Sequence, residues 1–391
     1  MWQTRFQQQL RALEEAGLRR SLEANAATQG TSIQVGHETL LNFCSNDYLG
    51  LAAHPKICEA LHEGATRYGV GSGAAALLSG HSVVHAELAE ALAHATGRER
   101  ALIFSSGYLA NLGLFSGLVA RTDTVISDSL NHASLIDGVR LSRAENRRYP
   151  HADMDAAAAV LEDTAHSPQW VVSDGLFSMD GDLAPLPQLA TLALRHEAML
   201  VCDDAHGFGV LGDGRGTVAH FGLNMKDVPL LVVTFGKALG TSGAAIAGPA
   251  LLIEMLLQRA RTFVFDTAPS PALMHATRVA LAMTMNDEEG LRARLLANVK
   301  RFKAWRQSAG LPVPVADTPI QPLWVGDEQR ALSIAATLRA AGFYVRAIRP
   351  PTVPPGTARL RVCLSAAHRA EQIDALTDAL QAHRDSFVHH G

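Results

Sequence analysis

The chain is poor in charged and aromatic residues and has no long apolar runs. Charged residues make up 18% of its 391 residues, aromatic residues 6%, and the net charge is -4. No block of Lys or Arg stands out, so the clustered basic charge that nucleic-acid binding needs is missing. No segment approaches the ~18 consecutive apolar residues of a membrane span. With an apolar share of 48%, we expect a globular protein whose partner is a small molecule, with neither nucleic acid nor membrane involved.

Cysteine is scarce as well. The four cysteines form no C-x-x-C pair, and neither an H-E-x-x-H zinc motif nor a G-x-S-x-G nucleophile elbow occurs. The N-terminal segment MWQTRFQQQLRALEEAG is polar and lacks the apolar core of a signal peptide. We therefore expect free thiols in a reducing compartment, no metal, and a cytoplasmic location.

Short apolar runs alternate with helical patterns over most of the chain. Such a rhythm is typical of an α/β fold with a mostly parallel sheet and helices on both faces. A helix at 186–196 fits between two of these runs. The predicted strands are residues 37–43, 101–104, 124–127, 170–173, 199–202 and 230–234.

The last hundred or so residues have a different character, with a charged helix and a Pro-rich stretch before further short elements. We predict three parts: an N-terminal helix and strand segment (1–45), a large domain (46–287) and a small C-terminal α+β domain (288–391). The N-terminal helix with its tail extends to about residue 27. In the small domain we predict strands at 323–325, 343–348 and 358–364 and helices at 288–309, 329–341 and 371–383.

The segment VVTFGKALGTSGAA (232–245) is the most informative one. A strand of buried character ends at Thr234, and Lys237 follows between small and apolar residues. A surface lysine after a strand is the ordinary interpretation of such a position. Desolvation favours the neutral amine, however, and a neutral amine is the nucleophile of a Schiff-base lysine.

A second segment, MLVCDDAHG (199–207), ends a strand in two carboxylates and His206. Sites in open α/β sheets form at the carboxyl ends of strands. Paired with Lys237, an acid here suits pyridoxal 5′-phosphate (PLP), whose pyridine nitrogen needs a carboxylate to remain protonated. Asp203 is the better candidate because it is nearest the strand end, and Asp204 is predicted to be a supporting or surface group.

Two further segments add weaker signals. In FSSGYLAN (104–111) a strand runs into a turn and a helix, and free amides at a helix N-terminus bind phosphate. Ser106, Gly107 and Tyr108 stand at that position. His132 follows the run 124–127; a lone histidine is usually structural, and stacking on a cofactor ring is the functional alternative.

The run GFGVLG (207–212) matches the G-x-G-x-x-G pattern of dinucleotide sites. In such a site the pattern opens a helix directly. Here it continues into further glycines, and the two carboxylates before it would repel a pyrophosphate. We therefore disfavour a nicotinamide enzyme.

Motifs along the whole chain resemble those of the α-oxoamine synthases, PLP enzymes of fold type I, the aspartate-aminotransferase type. That resemblance implies a large, mostly parallel sheet domain and a small C-terminal α+β domain. The motifs that carry it are NFCSNDYLGL (42–51), FSSGYLAN (104–111), SLNHASLIDG (129–138), GLFSMDGDLAPL (175–186), VCDDAHGFGVLG (201–212), VVTFGKALGTSG (232–243) and RPPTVPPGTARLRVCLSAAH (349–368).

The resemblance implies a role for each matching residue. Lys237 would bear the cofactor, Asp203 would pair with the pyridinium, His132 would stack on the ring, and His206 would bind the ring hydroxyl. The other cofactor contacts it implies are Ser106, Gly107, Tyr108, Ser178, Thr234 and, toward the partner subunit of a homodimer, Thr267. Groups near the amino-acid carboxylate would be Asn46 and Arg361, and the acyl site would include Arg20 and Thr352.

Two departures from the family pattern bear on the site. The loop GSGAAALLSG (71–80) has Ala and Leu where relatives often have Gly or polar residues, so we expect a tighter, less mobile loop. Asp266 stands where relatives usually have Ser or Thr, and a carboxylate facing a phosphate is repelled. We therefore expect Asp266 to point away from the phosphate.

The implied activity is decarboxylative condensation of an amino acid with an acyl thioester. The segment IRPPTVPPGTARLR (348–361) resembles members that join L-alanine to a pimeloyl thioester in biotin biosynthesis, with coenzyme A and acyl carrier protein both open as carriers. A member that uses glycine or serine is the alternative. A PLP-binding regulator fused to a DNA-binding domain is disfavoured, since the N-terminal extension is short and the net charge is acidic.

Overall fold

A computed structural model describes residues 1–15 and 17–388. Ala16, within the predicted N-terminal segment, and residues 389–391, at the end of the predicted small domain, lie outside the described residues. The chain from Asn46 to Leu295 forms one compact unit, and Met1–Ser45 with the chain from Leu296 onward forms another. The division into three parts stays a prediction.

Strands occupy every predicted apolar run. They are β1 (Ser32–Val35), β2 (Glu38–Asn42), β3 (Arg100–Phe104), β4 (Thr124–Asp128), β5 (Glu145–Tyr149), β6 (Gln169–Asp174), β7 (Met199–Asp203), β8 (Leu230–Thr234), β9 (Ala244–Gly248), β10 (Ile320–Gly326), β11 (Phe343–Tyr344), β12 (Arg346–Ile348) and β13 (Ala358–Cys363).

Helices separate most of these strands, as the alternating pattern predicts. They are α1 (Trp2–Glu15), α2 (Pro55–Tyr68), α3 (Val83–Thr96), α4 (Gly107–Leu118), α5 (Ala133–Ser142), α6 (Met154–Asp163), α7 (Leu186–Arg195), α8 (Thr217–His220), α9 (Ala250–Arg259), α10 (Arg261–Val264), α11 (Pro271–Asn286), α12 (Leu291–Ser308), α13 (Glu328–Ala340) and α14 (Ala370–Gln381). None of the helices within residues 1–15 and 17–388 is long and apolar enough to cross a membrane.

The larger unit is built on a seven-stranded sheet with the strand order β3-β9-β8-β7-β6-β4-β5. Only β9 runs antiparallel to its neighbours in this sheet, which confirms the mostly parallel sheet. Its central strands are buried on both faces, and α4 packs Leu114 and Phe115 into the core beside Val172, Val201 and Val232.

Sequence reasoning missed two strands of this sheet. The sequence of β5, ENRRY, is polar because β5 lies at the edge of the sheet and leaves side chains in solvent. That of β9, AAIAG, consists mainly of residues with low strand propensity, yet all five are buried between β3 and β8.

The smaller unit holds two three-stranded sheets, β1-β2-β11 and β10-β13-β12. The single strand predicted at 343–348 is wrong in one respect, because the chain divides it at Val345. The first part pairs with β2 and the second with β13, so the two parts belong to different sheets.

The sheet of the larger unit positions the candidate site. Its parallel strands β4, β6, β7 and β8 end at one edge, and polar residues stand at or just after those ends. Two helices begin beside the same edge, with Ser106 as the N-cap of α4 and His132 as the N-cap of α5. Ligand sites of open α/β sheets form at this edge.

Candidate active site

A cavity of about 270 Å³ lies at the carboxyl ends of the parallel strands. Nine of the residues singled out in the sequence line it: Asn46, Ser106, Gly107, Tyr108, His132, Asp203, His206, Thr234 and Lys237. Residues far apart in the sequence therefore share one concave surface, which can hold a small ligand.

Asp203 ends β7 and is almost fully buried, with 4% of its surface exposed. Its two carboxylate oxygens are held separately. The Asn111 amide donates to Oδ2 over 2.7 Å, and the backbone N–H of Ala205 donates to Oδ1 over 3.1 Å. Because a donor holds each oxygen, Asp203 presents its carboxyl group to the cavity in a fixed orientation.

His132 is held by a second acid, Asp174, which the sequence did not point out. Its backbone N–H donates to Asp174 Oδ2 over 2.7 Å, and its Nδ1 lies 2.8 Å from Ser134 Oγ. Burial lowers the pKa of His132, Asp203 raises it, and the charge of Lys237 lowers it. We conclude that His132 presents a neutral imidazole to the cavity.

Asp174 ends β6 beside Asp203 at the end of β7, and it also lines the cavity. Burial and the neighbouring Asp203 raise the pKa of Asp174 well above its usual range, while the His132 N–H lowers it. The signal that pointed to Asp203, an acid at a strand end, is present at Asp174 too. It could have been found in the sequence.

His206 is held by a tyrosine that the sequence analysis also missed. Tyr48 Oη lies 2.6 Å from His206 Nδ1 and donates to Asn46 Oδ1 over 3.2 Å. Tyr48 has no exposed surface, and His206 is 6% exposed. The chain Asn46–Tyr48–His206 therefore fixes the imidazole orientation. No pattern at Tyr48 distinguishes it from a core tyrosine.

The start of α4 forms another wall of the cavity. Ser106 caps the helix, its Oγ accepting the N–H of Leu109 over 3.2 Å. A side chain at Gly107 would place Cβ 2.7 Å from Thr234 Cγ2, so only glycine fits between the helix and β8. The Tyr108 hydroxyl donates to Asp137. Amides at such a helix N-terminus attract a phosphate.

The alternative that Asp204 is a surface group is wrong. Asp204 is fully buried and accepts the Thr217 N–H over 2.7 Å and the Thr217 hydroxyl over 2.5 Å. Burial raises its pKa to about 7, although the hydrogen bonds from Thr217 lower it. The carboxylate therefore connects the end of β7 to α8, which is the supporting role.

Two of the predicted cofactor contacts in the larger unit, Ser178 and Thr267, are not among the described residues that line the 270 Å³ cavity. Ser178 lies in the loop after β6, and Thr267 is exposed and pairs with Ala75. Asp266 accepts a hydrogen bond from Ser105 Oγ over 2.6 Å. The segment 71–80 ends in a π-helical turn, Ala76–Gly80, in which Leu77 and Leu78 are exposed.

The remaining predicted residues belong to the smaller unit. Arg20 Nη2 donates to Thr352 Oγ1 over 3.3 Å, so these two lie together, as their shared predicted role requires. Arg361 lies in β13 and is 9% exposed. The substrate-binding roles of these residues stay predictions.

A cavity of about 620 Å³, larger than the candidate site, lies between α3 and β3 in the larger unit. Its described walls carry none of the predicted site residues and no lysine, and they combine apolar side chains with histidine, glutamate and arginine residues of α3 and β3 and the turn between them. We therefore place the chemistry in the smaller cavity, which contains the lysine, the acids and the histidines.

The residues around the smaller cavity fit PLP. Its volume is below the ~300–1,000 Å³ of pockets for drug-sized ligands, which suits a single substituted ring. An amine, Lys237, and a carboxylate, Asp203, both line it, as a pyridine aldehyde requires. A helix N-terminus with the Gly107–Thr234 contact provides an anion cradle.

Fold and site together define a PLP-dependent protein of fold type I. The model of the family "Aminotransferase class I and II" matches residues 38–380. The chain belongs to this family, and within it to the α-oxoamine synthases.

Relatives and a solved structure agree with this assignment. An 8-amino-7-oxononanoate synthase of Methylococcus capsulatus is 55% identical over 353 residues, which cover 90% of this chain and 91% of the relative. One of Nitrosococcus oceani is 49% identical, with 95% and 99% covered. A serine palmitoyltransferase from S. paucimobilis, solved with bound PLP and myriocin, has a TM-score of 0.91 at 27% identity, with 96% of each chain covered.

Proposed function

We propose that this chain condenses L-alanine with a pimeloyl thioester, with loss of CO2 and release of the carrier thiol, to give 8-amino-7-oxononanoate for biotin synthesis. One observation carries the proposal. Lys237, Asp203, His132 and His206 share a single cavity, in a chain 48–55% identical to relatives named for this activity.

PLP, when bound, supplies an electron-poor ring that accepts the negative charge developing on the α-carbon of the amino acid. Lys237 is the residue that bears the cofactor. Its Nζ then removes the α-carbon proton of alanine and later returns a proton to the product. Lys237 is half-buried, and the next residue, Ala238, is 1% exposed.

Asp203 and the two histidines divide the remaining work. Asp203, held by Asn111 and Ala205, keeps a proton at the pyridine nitrogen. His206, fixed by Tyr48, binds the ring hydroxyl. His132 covers the ring face as a neutral imidazole and helps to polarise the thioester carbonyl that the alanine carbon attacks.

Positioning of the phosphate and of the substrates completes the proposal. Ser106, Gly107 and Tyr108, with Thr234 and Ser178, hold the phosphate end and the ring. Asn46 and Arg361 would each bind the alanine carboxylate and so hold the substrate in one orientation. Arg20 and Thr352 line the acyl site, and their mutual hydrogen bond supports this grouping.

A homodimer with shared sites is part of the same proposal. Thr267 is exposed and is paired with Ala75. Its exposure leaves it accessible to a second subunit, and the family resemblance assigns it to the phosphate of that subunit. A cytoplasmic location remains a prediction of the sequence, and the proposal includes both coenzyme A and acyl carrier protein as carriers.

The test is a product assay with purified holoenzyme. Pimeloyl-coenzyme A and pimeloyl-acyl carrier protein are each combined with L-alanine, glycine or L-serine, and the products are identified by mass spectrometry. We expect 8-amino-7-oxononanoate with L-alanine and one or both carriers. The Lys237→Ala variant should form none, whereas Lys226→Ala, at an exposed lysine, should match the wild type.

Two results would refute the proposal. One is turnover of glycine or serine with an acyl thioester but no turnover of alanine. The other is full activity in the Lys237→Ala variant.

A further inference from the structure

We propose that His151 is a positioning residue of the cofactor site, whose imidazolium ties the turn that carries His132 to the loop that carries Ser178. The inference rests on the proposed function, because it concerns the same cofactor site. His151 follows β5, outside every motif to which the sequence analysis gave a role.

The histidine contacts a carboxylate through each ring nitrogen. Nδ1 lies 3.0 Å from Asp128 Oδ1, and Nε2 lies 2.8 Å from Asp182 Oδ2. A neutral imidazole has one N–H and can donate to only one of them, whereas an imidazolium donates to both. Burial alone would lower the pKa of His151, but the bonds to Asp128 and Asp182 raise it to about 10. The bridge is therefore a positive charge between two negative ones.

On the first side, Asp128 organises the turn that leads to His132. It ends β4 and is 1% exposed. Its Oδ1 accepts the N–H of Leu130 over 2.8 Å, and its backbone carbonyl accepts the N–H of Asn131 over 3.2 Å. His132 is the next residue, so the direction of its ring depends on this turn.

On the second side, Asp182 closes the loop that carries Ser178. The carbonyl of Asp182 accepts the N–H of Phe177 over 2.9 Å, and the carbonyl of Phe177 accepts the N–H of Gly181 over 2.9 Å. The His151 ring packs edge-on against the buried Phe177 ring, with centroids 4.4 Å apart. Ser178 follows directly, so the bridge reaches both ends of this loop.

The backbone beside His151 is shaped for the same contact. Ala152 has φ 54°, in the left-handed region that an alanine rarely adopts. In this conformation its N–H donates to Asp128 Oδ2 over 3.0 Å. Ala152 and His151 thus both bind the Asp128 carboxylate. Because a strained backbone persists only where its surroundings stabilise it, this supports a specific role for the contact.

The experiment measures PLP binding to apoenzyme by absorbance titration, with kcat and KM for L-alanine measured on the reloaded enzyme. His151→Gln replaces the imidazolium by an uncharged amide, which can hydrogen-bond to one acid but cannot contact both. We expect its dissociation constant for PLP to rise about tenfold to a hundredfold, the effect of losing a charged hydrogen bond. We also expect kcat to fall more than KM changes, since His132 is displaced.

A second variant covers the case in which His151→Gln does not fold. Asp182→Asn changes a partly exposed side chain, keeps its shape, and should weaken PLP binding in the same direction by a smaller factor. The double variant should be no worse than His151→Gln alone, because both substitutions break the same bridge.

His275→Gln is the matched control. His275 lies on α11 of the same unit, and its Nε2 is 3.6 Å from Glu63. We expect its PLP affinity to stay within about twofold of the wild type. Wild-type PLP affinity and kcat in folded His151→Gln, or in Asp182→Asn if only that variant folds, would overturn the inference even if the melting temperature fell. Wild-type enzyme that fails to bind PLP would instead overturn the proposed function and the inference with it.

Discussion

Asp174 and Asp203 stand side by side at the ends of the adjacent parallel strands β6 and β7, and each is 4% exposed. Two carboxylates in one buried space are not both ionised without a large electrostatic cost. Burial and Asp203 raise the pKa of Asp174, whereas Asn111 and Ala205 donate hydrogen bonds to Asp203. The pair is therefore asymmetric: hydrogen bonds from Asn111 and Ala205 hold the Asp203 carboxyl group, whereas Asp174, whose pKa is raised, accepts the His132 N–H.

This asymmetry predicts unequal effects of the two amide substitutions. Asp174→Asn keeps the shape of the side chain and an oxygen that still accepts the His132 N–H, so we expect kcat to fall less than about tenfold. Asp203→Asn removes the charge that keeps the pyridine nitrogen protonated, and we expect a loss of at least about 100-fold. Steady-state kinetics of the two holoenzymes check this. Equal losses would contradict the different roles of the two acids.

Asp204 predicts how stability depends on pH. Its pKa is raised to about 7 in the folded protein from an ordinary 3.8, so between these values the folded state holds a proton that the unfolded state releases. Its contribution to stability is therefore complete below about 3.8 and is lost as the pH rises to about 7. Urea unfolding across this range should show a shallower decline for Asp204→Asn than for the wild type.

Thr217→Val provides a second variant for the measurement of stability against pH. The Thr217 hydroxyl lowers the pKa of Asp204, so removing it should extend the decline in stability to higher pH. A slope that is unchanged in both variants would show that Asp204 is not the titrating group.

Tyr48→Phe tests the orientation of His206. The substitution removes the hydroxyl 2.6 Å from His206 Nδ1 and leaves the ring. We expect kcat/KM to fall about tenfold, because the buried imidazole loses the hydrogen bond to Tyr48. Tyr68→Phe, at a second tyrosine near a histidine of the same unit, should leave kcat/KM unchanged. Equal behaviour of the two variants would argue against a role for Tyr48.

Gly107→Ala tests the phosphate cradle. The added Cβ would lie 2.7 Å from Thr234 Cγ2, so α4 or β8 must shift and PLP affinity should fall at least about tenfold. Thr234→Ser removes that methyl group and keeps the hydroxyl, so it should restore much of the affinity in the double variant. PLP titration of the apoenzymes measures both effects. Failure of this rescue would point to a cause other than the predicted contact.

The sequence predicted the fold well because its signals were local. Buried parallel strands such as β7 and β8 read as short apolar runs, and the acid or lysine after each run marked the edge where sites form. The two strands that the sequence did not predict lack such runs. Strand β5 consists mainly of charged and polar residues because it lies at the sheet edge, and β9 consists mainly of small residues, all of them buried.

What could not be predicted depends on contacts between distant segments. Tyr48 meets His206, and His151 meets Asp182, only after the chain has folded. The burial of Asp204 likewise follows from the approach of Thr217, thirteen residues away. A pattern along the chain gives the position of a side chain on its own element, but not the partner that fixes it.

The proposed PLP chemistry depends most directly on Lys237 as the amine that bears the cofactor. Holoenzyme is treated with borohydride, which fixes the cofactor to its lysine, then digested, and the labelled peptide is identified by mass spectrometry. The label is predicted on the peptide containing Lys237 and should be absent from the Lys237→Ala variant. A label on another lysine of the wild type, or a label that persists in the variant, would contradict the account.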